Sequence, residues 1–146
     1  MISTPSNQNN DPTVLPQSTE EVAAALRRIS THPTLTPFRR RVYRTLLSIP
    51  PGQWTTYGVL ADYLSSSPRA VGNALRTNPF APQVPCHRVL AADRSLCGYK
   101  GEKEGYGGLP EKRALLEKEG VEFDEKGRAR GQVFEGLVDL GEKSRS

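Results

Sequence analysis

The stretch 55–76, TTYGVLADYLSSSPRAVGNALR, carries two helical patterns separated by a run of serines. Thr55 or Thr56 can cap the first, because a threonine hydroxyl accepts from the free N–H groups of an opening helical turn. Val59, Leu60, Tyr63 and Leu64 then recur at helical spacing. Ser65-Ser66-Ser67 forms the turn. Ser67 caps a second helix with Pro68 at its first position, where proline's missing N–H is harmless and its φ is already helical. Ala70, Val71, Ala74 and Leu75 run along that helix. The pattern predicts a helix–turn–helix. Its second helix bears Arg69 and Arg76 beside the small residues Ala70 and Gly72. Small side chains permit close approach of a partner and equally suit tight helix packing.

Working towards the N-terminus, Phe38, Val42 and Leu46 lie at i, i+4 and i+8, with Tyr43 and Leu47 beside them. They predict a helix over 37–48, capped by Thr36 and ended by Pro50-Pro51-Gly52. Arg39, Arg40, Arg41 and Arg44 fall on the rest of its surface and read as a solvated polar face. Ser18 and Glu21 form a capping box ahead of Val22, Leu26 and Ile29, so 19–30 is a short helix. Residues 1–17 are too polar to offset the entropy of ordering and read as a disordered tail. The expected organisation is that tail, a short helix and linker over 18–36, one domain over 37–140, and frayed residues 141–146.

Working towards the C-terminus, residues 78–90, NPFAPQVPCHRVL, hold too many prolines for a helix. They form a constrained loop that fixes Cys86-His87 and leads into a Val89-Leu90 strand or turn. Gly98 to Gly108 reads as a surface loop. Pro110 opens a last helix, Leu115 and Leu116 face inward, and Gly120 closes it. Val121–Phe123 and Gln132–Phe134 are expected to pair as a hairpin around Lys126-Gly127.

Charge and length bound the function. The chain has 146 residues and a net charge of +4. Residues 37–99 carry eight basic and two acidic side chains, net +6, and every basic one is arginine; each flank is net −1. Arginine keeps its charge and presents a planar fork of donors suited to phosphate. An Arg-rich centre between near-neutral flanks points to an anionic partner such as nucleic acid. No apolar run approaches the ~20 residues of a membrane span, and residues 1–17 show no signal-peptide pattern. Two cysteines, Cys86 and Cys97, are too few for a disulfide framework and lack zinc-ligand spacing with His32 and His87.

Cys86, held among prolines and followed by His87, is the sharpest local feature. A thiolate is a nucleophile, and a nearby histidine can promote it. From the residues alone, Cys86 can equally be a small buried hydrophobe, His87 a satisfied backbone partner, Tyr57 a core aromatic, and Glu119 one more charge on a Lys/Glu-rich helix.

Pro85-Cys86-His87-Arg88-Val89 is identical to the signature pentapeptide of the O6-alkylguanine-DNA alkyltransferases, the methylated-DNA–protein-cysteine methyltransferases, and the chain resembles that family well beyond it. Thr56-Tyr57, Leu60-Ala61, Arg69-Ala70-Val71-Gly72, Ala74, Arg76, Asn78-Pro79, Gly98-Tyr99, Leu115-Leu116 and Glu119-Gly120 follow in family order, over about residues 37–122. The resemblance implies a mainly α fold with a small β element, a winged-helix-like helix–turn–helix domain. It implies a repair protein that flips O6-alkylguanine out of duplex DNA and moves the alkyl group, once, onto Cys86. In that reading His87 takes the thiol proton through a water and is oriented by Glu119. Tyr57 gives a hydrogen bond to the guanine, and Asn78 braces the loop. Pro85, Val89 and Tyr99 line the base pocket. Arg69 fills the vacated stack, Ala70 and Gly72 let the helix enter the minor groove, and Arg76 and Thr56 meet the DNA. The resemblance implies no cofactor, no metal, a monomer, and a nuclear location in a eukaryote or a cytoplasmic one otherwise.

The chain departs from the family's usual form in two places. The additional N-terminal domain of many members is not expected in the 36 residues before Pro37. Lys100 to Tyr106 reads as an insertion, which makes Tyr106 a rival to Tyr99 and leaves the accepted alkyl groups open. A second reading is a non-catalytic alkyltransferase-like lesion-binding protein; those commonly carry Trp where this chain has Cys86. An ordinary helix–turn–helix regulator does not explain the 85–89 loop.

Overall fold

The computed structural model describes residues 19–96 and 108–141. Among them the chain forms helices α1 (Thr19–Thr31), α2 (Pro37–Leu46), α3 (Tyr57–Tyr63), α4 (Pro68–Arg76) and α5 (Gly108–Lys118). Strands β1 (Thr55–Thr56) and β2 (Val89–Leu90) pair in parallel, Thr55 opposite Val89 and Thr56 opposite Leu90. No helix among the described residues is long and apolar enough to cross a membrane.

The helix starts follow their caps. Thr36, Thr56 and Ser67 stand in extended backbone and accept from the N–H groups of Arg39, Val59 and Ala70 at 3.1, 3.2 and 3.1 Å. Such caps satisfy donors that have no partner inside the helix. Helix α2 ends two residues before the expected Ser48. The Ser48 and Ile49 amides reach back only three residues, to the Thr45 and Leu46 carbonyls, the tighter winding that commonly closes a helix. Helix α5 begins at Gly108, two residues ahead of the expected Pro110, so the proline sits inside its first turn, where its missing donor is still tolerated.

Ala25 and Ile29 of α1, Val42, Tyr43 and Leu46 of α2, Leu60 of α3 and Val71 and Leu75 of α4 belong to one buried cluster that also holds Cys86 and Val89. A smaller cluster joins Trp54, Leu90, Leu116, Val121 and Ala129. The parallel pair runs between the two, so Val89 faces the first and Leu90 the second.

Two expectations are corrected. Arg40 and Arg44 of α2 are connectors and not part of a solvated face. Arg40 donates to the carbonyls of Ile29 and His32 at 3.1 and 2.6 Å, covering the carbonyls freed where α1 ends. Arg44 makes a two-pronged ion pair with Asp139, at 2.8 and 3.0 Å. The hairpin is also shorter than expected. Phe123 bridges Ala129, because the Asp124 carboxylate accepts from the Lys126 and Arg128 amides and pins a tight turn. The 132–134 segment packs instead beside Trp54, whose carbonyl accepts from the Phe134 amide at 2.7 Å.

Ile29 is fully buried against the α2 side of the core. Ile29→Ala is expected to lower stability by about 2–4 kcal/mol. Urea unfolding followed by circular dichroism should show one transition at a lower midpoint. A separate early transition would mean that α1 unfolds on its own.

Candidate active site

The proline-rich loop ends in a single 3-10 turn, Cys86–Arg88, in which all three residues are buried. Its approach is braced by Asn78. The Asn78 amide donates to the Val84 carbonyl at 2.9 Å, and its oxygen accepts from the Phe80 amide at 2.9 Å. The Cys86 amide in turn donates to the Val84 carbonyl at 2.8 Å. Proline cannot supply ladder donors, so a side-chain amide inside the loop replaces them. Cys86 is not disulfide-bonded and is 3% exposed.

Glu119 lies one residue beyond α5 and points its carboxylate into this turn. Arg88 donates to it twice, Nε to Oε1 at 2.9 Å and Nη2 to Oε2 at 2.6 Å. His87 Nε2 meets Oε2 at 2.9 Å. The three side chains are essentially inaccessible to solvent. Arg88 Nη1 also donates to the Ile49 carbonyl at 2.6 Å, anchoring the turn to the end of α2. The Pro50-Pro51-Gly52 turn approaches so closely that a Cβ on Gly52 would sit 3.0 Å from the Glu119 carbonyl oxygen, and Gly52 has φ +87°. Only glycine takes that backbone without strain.

Protonation follows from this packing. Burial pushes the Glu119 carboxyl up, but the hydrogen bonds and charges of His87 and Arg88 outweigh it and hold the acid below its usual value. Burial lowers His87, and Glu119 only partly restores it. At neutral pH the pair is therefore a carboxylate beside a neutral imidazole. A carboxylate can only accept, so the imidazole proton sits on Nε2. Nδ1 is left as a lone-pair acceptor, buried and without a hydrogen-bond partner among the described residues.

Lys112 was not anticipated. It is fully buried on α5, donates Nζ to the Val89 carbonyl at 2.7 Å, and stands 5.8 Å from the centre of the Tyr57 ring. The sequence held a signal for it: Lys112 precedes Leu116 by four residues, which puts it on the inward face of α5. Arg88, by sequence only one residue of the Pro85–Val89 motif, holds the site together. Tyr57, half-buried at the start of α3, thus meets Val89 through Lys112.

The structure separates a second group. Arg69 and Arg76 are exposed on α4, with Ala70 and Gly72 half-buried between them. Arg76 is hydrogen-bonded to Asn73 one turn back. The Thr56 hydroxyl is occupied as a helix cap. Pro85 is buried beside Cys86. Tyr99, its rival Tyr106, Cys97 and the 100–106 segment lie outside the described residues. Among the described residues no group of three His, Cys, Asp or Glu side chains could hold a metal ion.

These features define a small helical domain in which the short helices α3 and α4 are joined to a buried cysteine backed by a His–Glu–Arg network. A family model described as "6-O-methylguanine DNA methyltransferase, DNA binding domain" matches residues 37–121, and the chain belongs to that family. A methylated-DNA–protein-cysteine methyltransferase of Saccharolobus islandicus is 46% identical over 61% of this chain and 54% of its own length. The chain thus spans about half the length of that curated relative. A crystal structure of the Mycobacterium tuberculosis OGT in complex with DNA is 45% identical, with TM-score 0.52, over 59% of this chain and 50% of that one. S. pombe Atl1, solved with damaged DNA containing O6-carboxymethylguanine, is 25% identical, with TM-score 0.53, over 68% of this chain and 93% of that one.

The lowered His87 and Glu119 give a signed pH dependence. The unfolded chain protonates His87 near the ordinary 6.5, whereas the folded site resists. Folding stability from His87 is therefore present above that pH and drains as pH falls below it. Glu119 adds a further loss at more acid pH, as its folded value is passed. Melting temperatures measured from pH 8 to 5 should fall, and His87→Gln should flatten the upper part of that fall. An unchanged slope in the variant would contradict the buried neutral imidazole.

Proposed function

We propose that the chain is a DNA repair protein that draws O6-alkylguanine out of duplex DNA and transfers the alkyl group irreversibly to its own Cys86. The observation that carries this reading is the buried His87, its Nε2–H committed to Glu119 and its Nδ1 turned into an acceptor one residue from Cys86. Family membership and the names of its relatives support it.

The chemistry is an in-line displacement at the alkyl carbon. His87 Nδ1 takes the Cys86 proton through a water, and the thiolate attacks. The Sγ–C bond forms as the C–O6 bond breaks, and the electron pair leaves on O6. Tyr57 donates a hydrogen bond to the guanine as negative charge develops on it. The departing base regains one proton, equal to the one the thiol lost, so the ledger closes without a cofactor. Glu119 stabilises the imidazolium while it exists. Lys112, by holding the Val89 carbonyl, fixes one wall of the pocket that Pro85 and Val89 line. The thioether is stable, and each molecule acts once.

For DNA, exposed Arg69 enters the stack where the target nucleotide leaves. Half-buried Ala70 and Gly72 let α4 approach the minor groove, and Arg76, steadied by Asn73, meets phosphates. The protein works on duplex DNA as a monomer. The Atl1-like reading, binding without transfer, is disfavoured by the presence of Cys86.

Incubation with a duplex containing one O6-methylguanine should add the mass of one methyl group, on Cys86, and Cys86→Ser should gain none. Tight binding with the lesion left intact would instead establish the sensor reading. Arg69→Ala should slow transfer about tenfold or more while weakening binding to undamaged duplex only slightly. Equal losses would remove its role in base extrusion.

A further inference from the structure

Six described residues have positive φ in the left-handed region, and four of them are glycines. Ser65 (φ 56°) and Arg94 (φ 72°) are the exceptions. Arg94 closes the turn that follows β2: its amide donates to the Ala91 carbonyl at 2.8 Å, the Ala91 amide to the Ser95 carbonyl, and the Ala129 amide to the Arg94 carbonyl. The backbone conformation is thus imposed by three hydrogen bonds. Glycine would meet it without strain, and a long side chain does not. The Arg94 side chain brings nothing to the fold in return. It is exposed and makes no hydrogen bond or ion pair with any described residue.

Its placement supplies a use. Arg94 lines an open cavity of about 460 Å³ together with Ala92, Thr56 and Val59, the last two flanking Tyr57 in the chain. Arg94 is the basic side chain of that lining and Glu135 the acidic one. We propose that Arg94 is a further phosphate contact, clamping the DNA backbone against the first turn of α3 beside the extruded nucleotide. This rests on the DNA-repair reading above and adds to it a residue on the strand-exit side of the reactive loop.

The test pairs opposite signs. Arg94→Gly relieves the backbone and removes the charge; Arg94→Lys keeps the charge; Arg28→Ala removes an exposed charge from α1 as a control. Melting temperature and affinity for an O6-methylguanine duplex are measured from 50 to 300 mM salt. Arg94→Gly should melt higher yet bind several-fold more weakly at 150 mM salt, with the slope of log affinity against log salt reduced by about one. Arg94→Lys should retain the slope, as should Arg28→Ala. A wild-type affinity with an unchanged slope in Arg94→Gly overturns the contact, and a lower melting temperature overturns the strain. Failure of the wild-type protein itself to bind the duplex would overturn the repair reading as well, and is read before any variant.

Discussion

Two parts of the chain that are far apart in sequence meet at one carboxylate, and a third, Ile49, is tied to them through Arg88. Glu119 takes two hydrogen bonds from Arg88 and one from His87, and all three groups are shut away from water. Removing any of them leaves an uncompensated buried charge or a buried lone pair, and breaking such a pair costs about 3–5 kcal/mol. The network therefore sets where the end of α5, the end of α2 and the reactive turn must stand. The placement of a proton depends on it too. The same carboxylate that balances Arg88 decides which imidazole nitrogen carries the proton, and so which one is left with a lone pair.

The site has two kinds of lysine and arginine, and their surroundings separate them. Arg88 and Lys112 are buried and fully employed, one on a carboxylate and a carbonyl, the other on the Val89 carbonyl. Arg40 and Arg44 tie helix ends to the core. The arginines left exposed on this segment are Arg69, Arg76 and Arg94, while Arg39 and Arg41 are half-buried. The +6 of residues 37–99 is thus divided between internal bracing and the surface, and a count of charges cannot apportion it.

Helix existence was legible because caps and spacing act locally. Thr36, Thr56 and Ser67 fall where their hydroxyls are needed, and Val42, Leu60 and Val71 lie on the faces that become core. The hairpin was misjudged because its register is set by the Asp124 turn, a side-chain-to-backbone preference that competes with apolar alternation. The 78–90 loop was legible from its prolines, and the role of Cys86 in it from resemblance. Its geometry, above all the Asn78 brace and the Arg88 anchor, arises from contacts between distant segments and has no local signature. By local pattern Glu119 is one of several acids near the end of α5, and the resemblance alone singled it out. In the structure the packing of Gly52 against its backbone, and of Arg88 against its side chain, separates it from Glu117, which is half exposed and pairs with Arg113 along the helix.

The Arg88 anchor to Ile49 has a mechanical side. The reactive turn is suspended from the ends of α2 and α5, while α4, the helix that faces outward with Arg69, reaches it through the Asn78-braced loop. Both attachments run through the one Arg88 guanidinium, so a shift of either helix end carries the whole 86–88 turn with it.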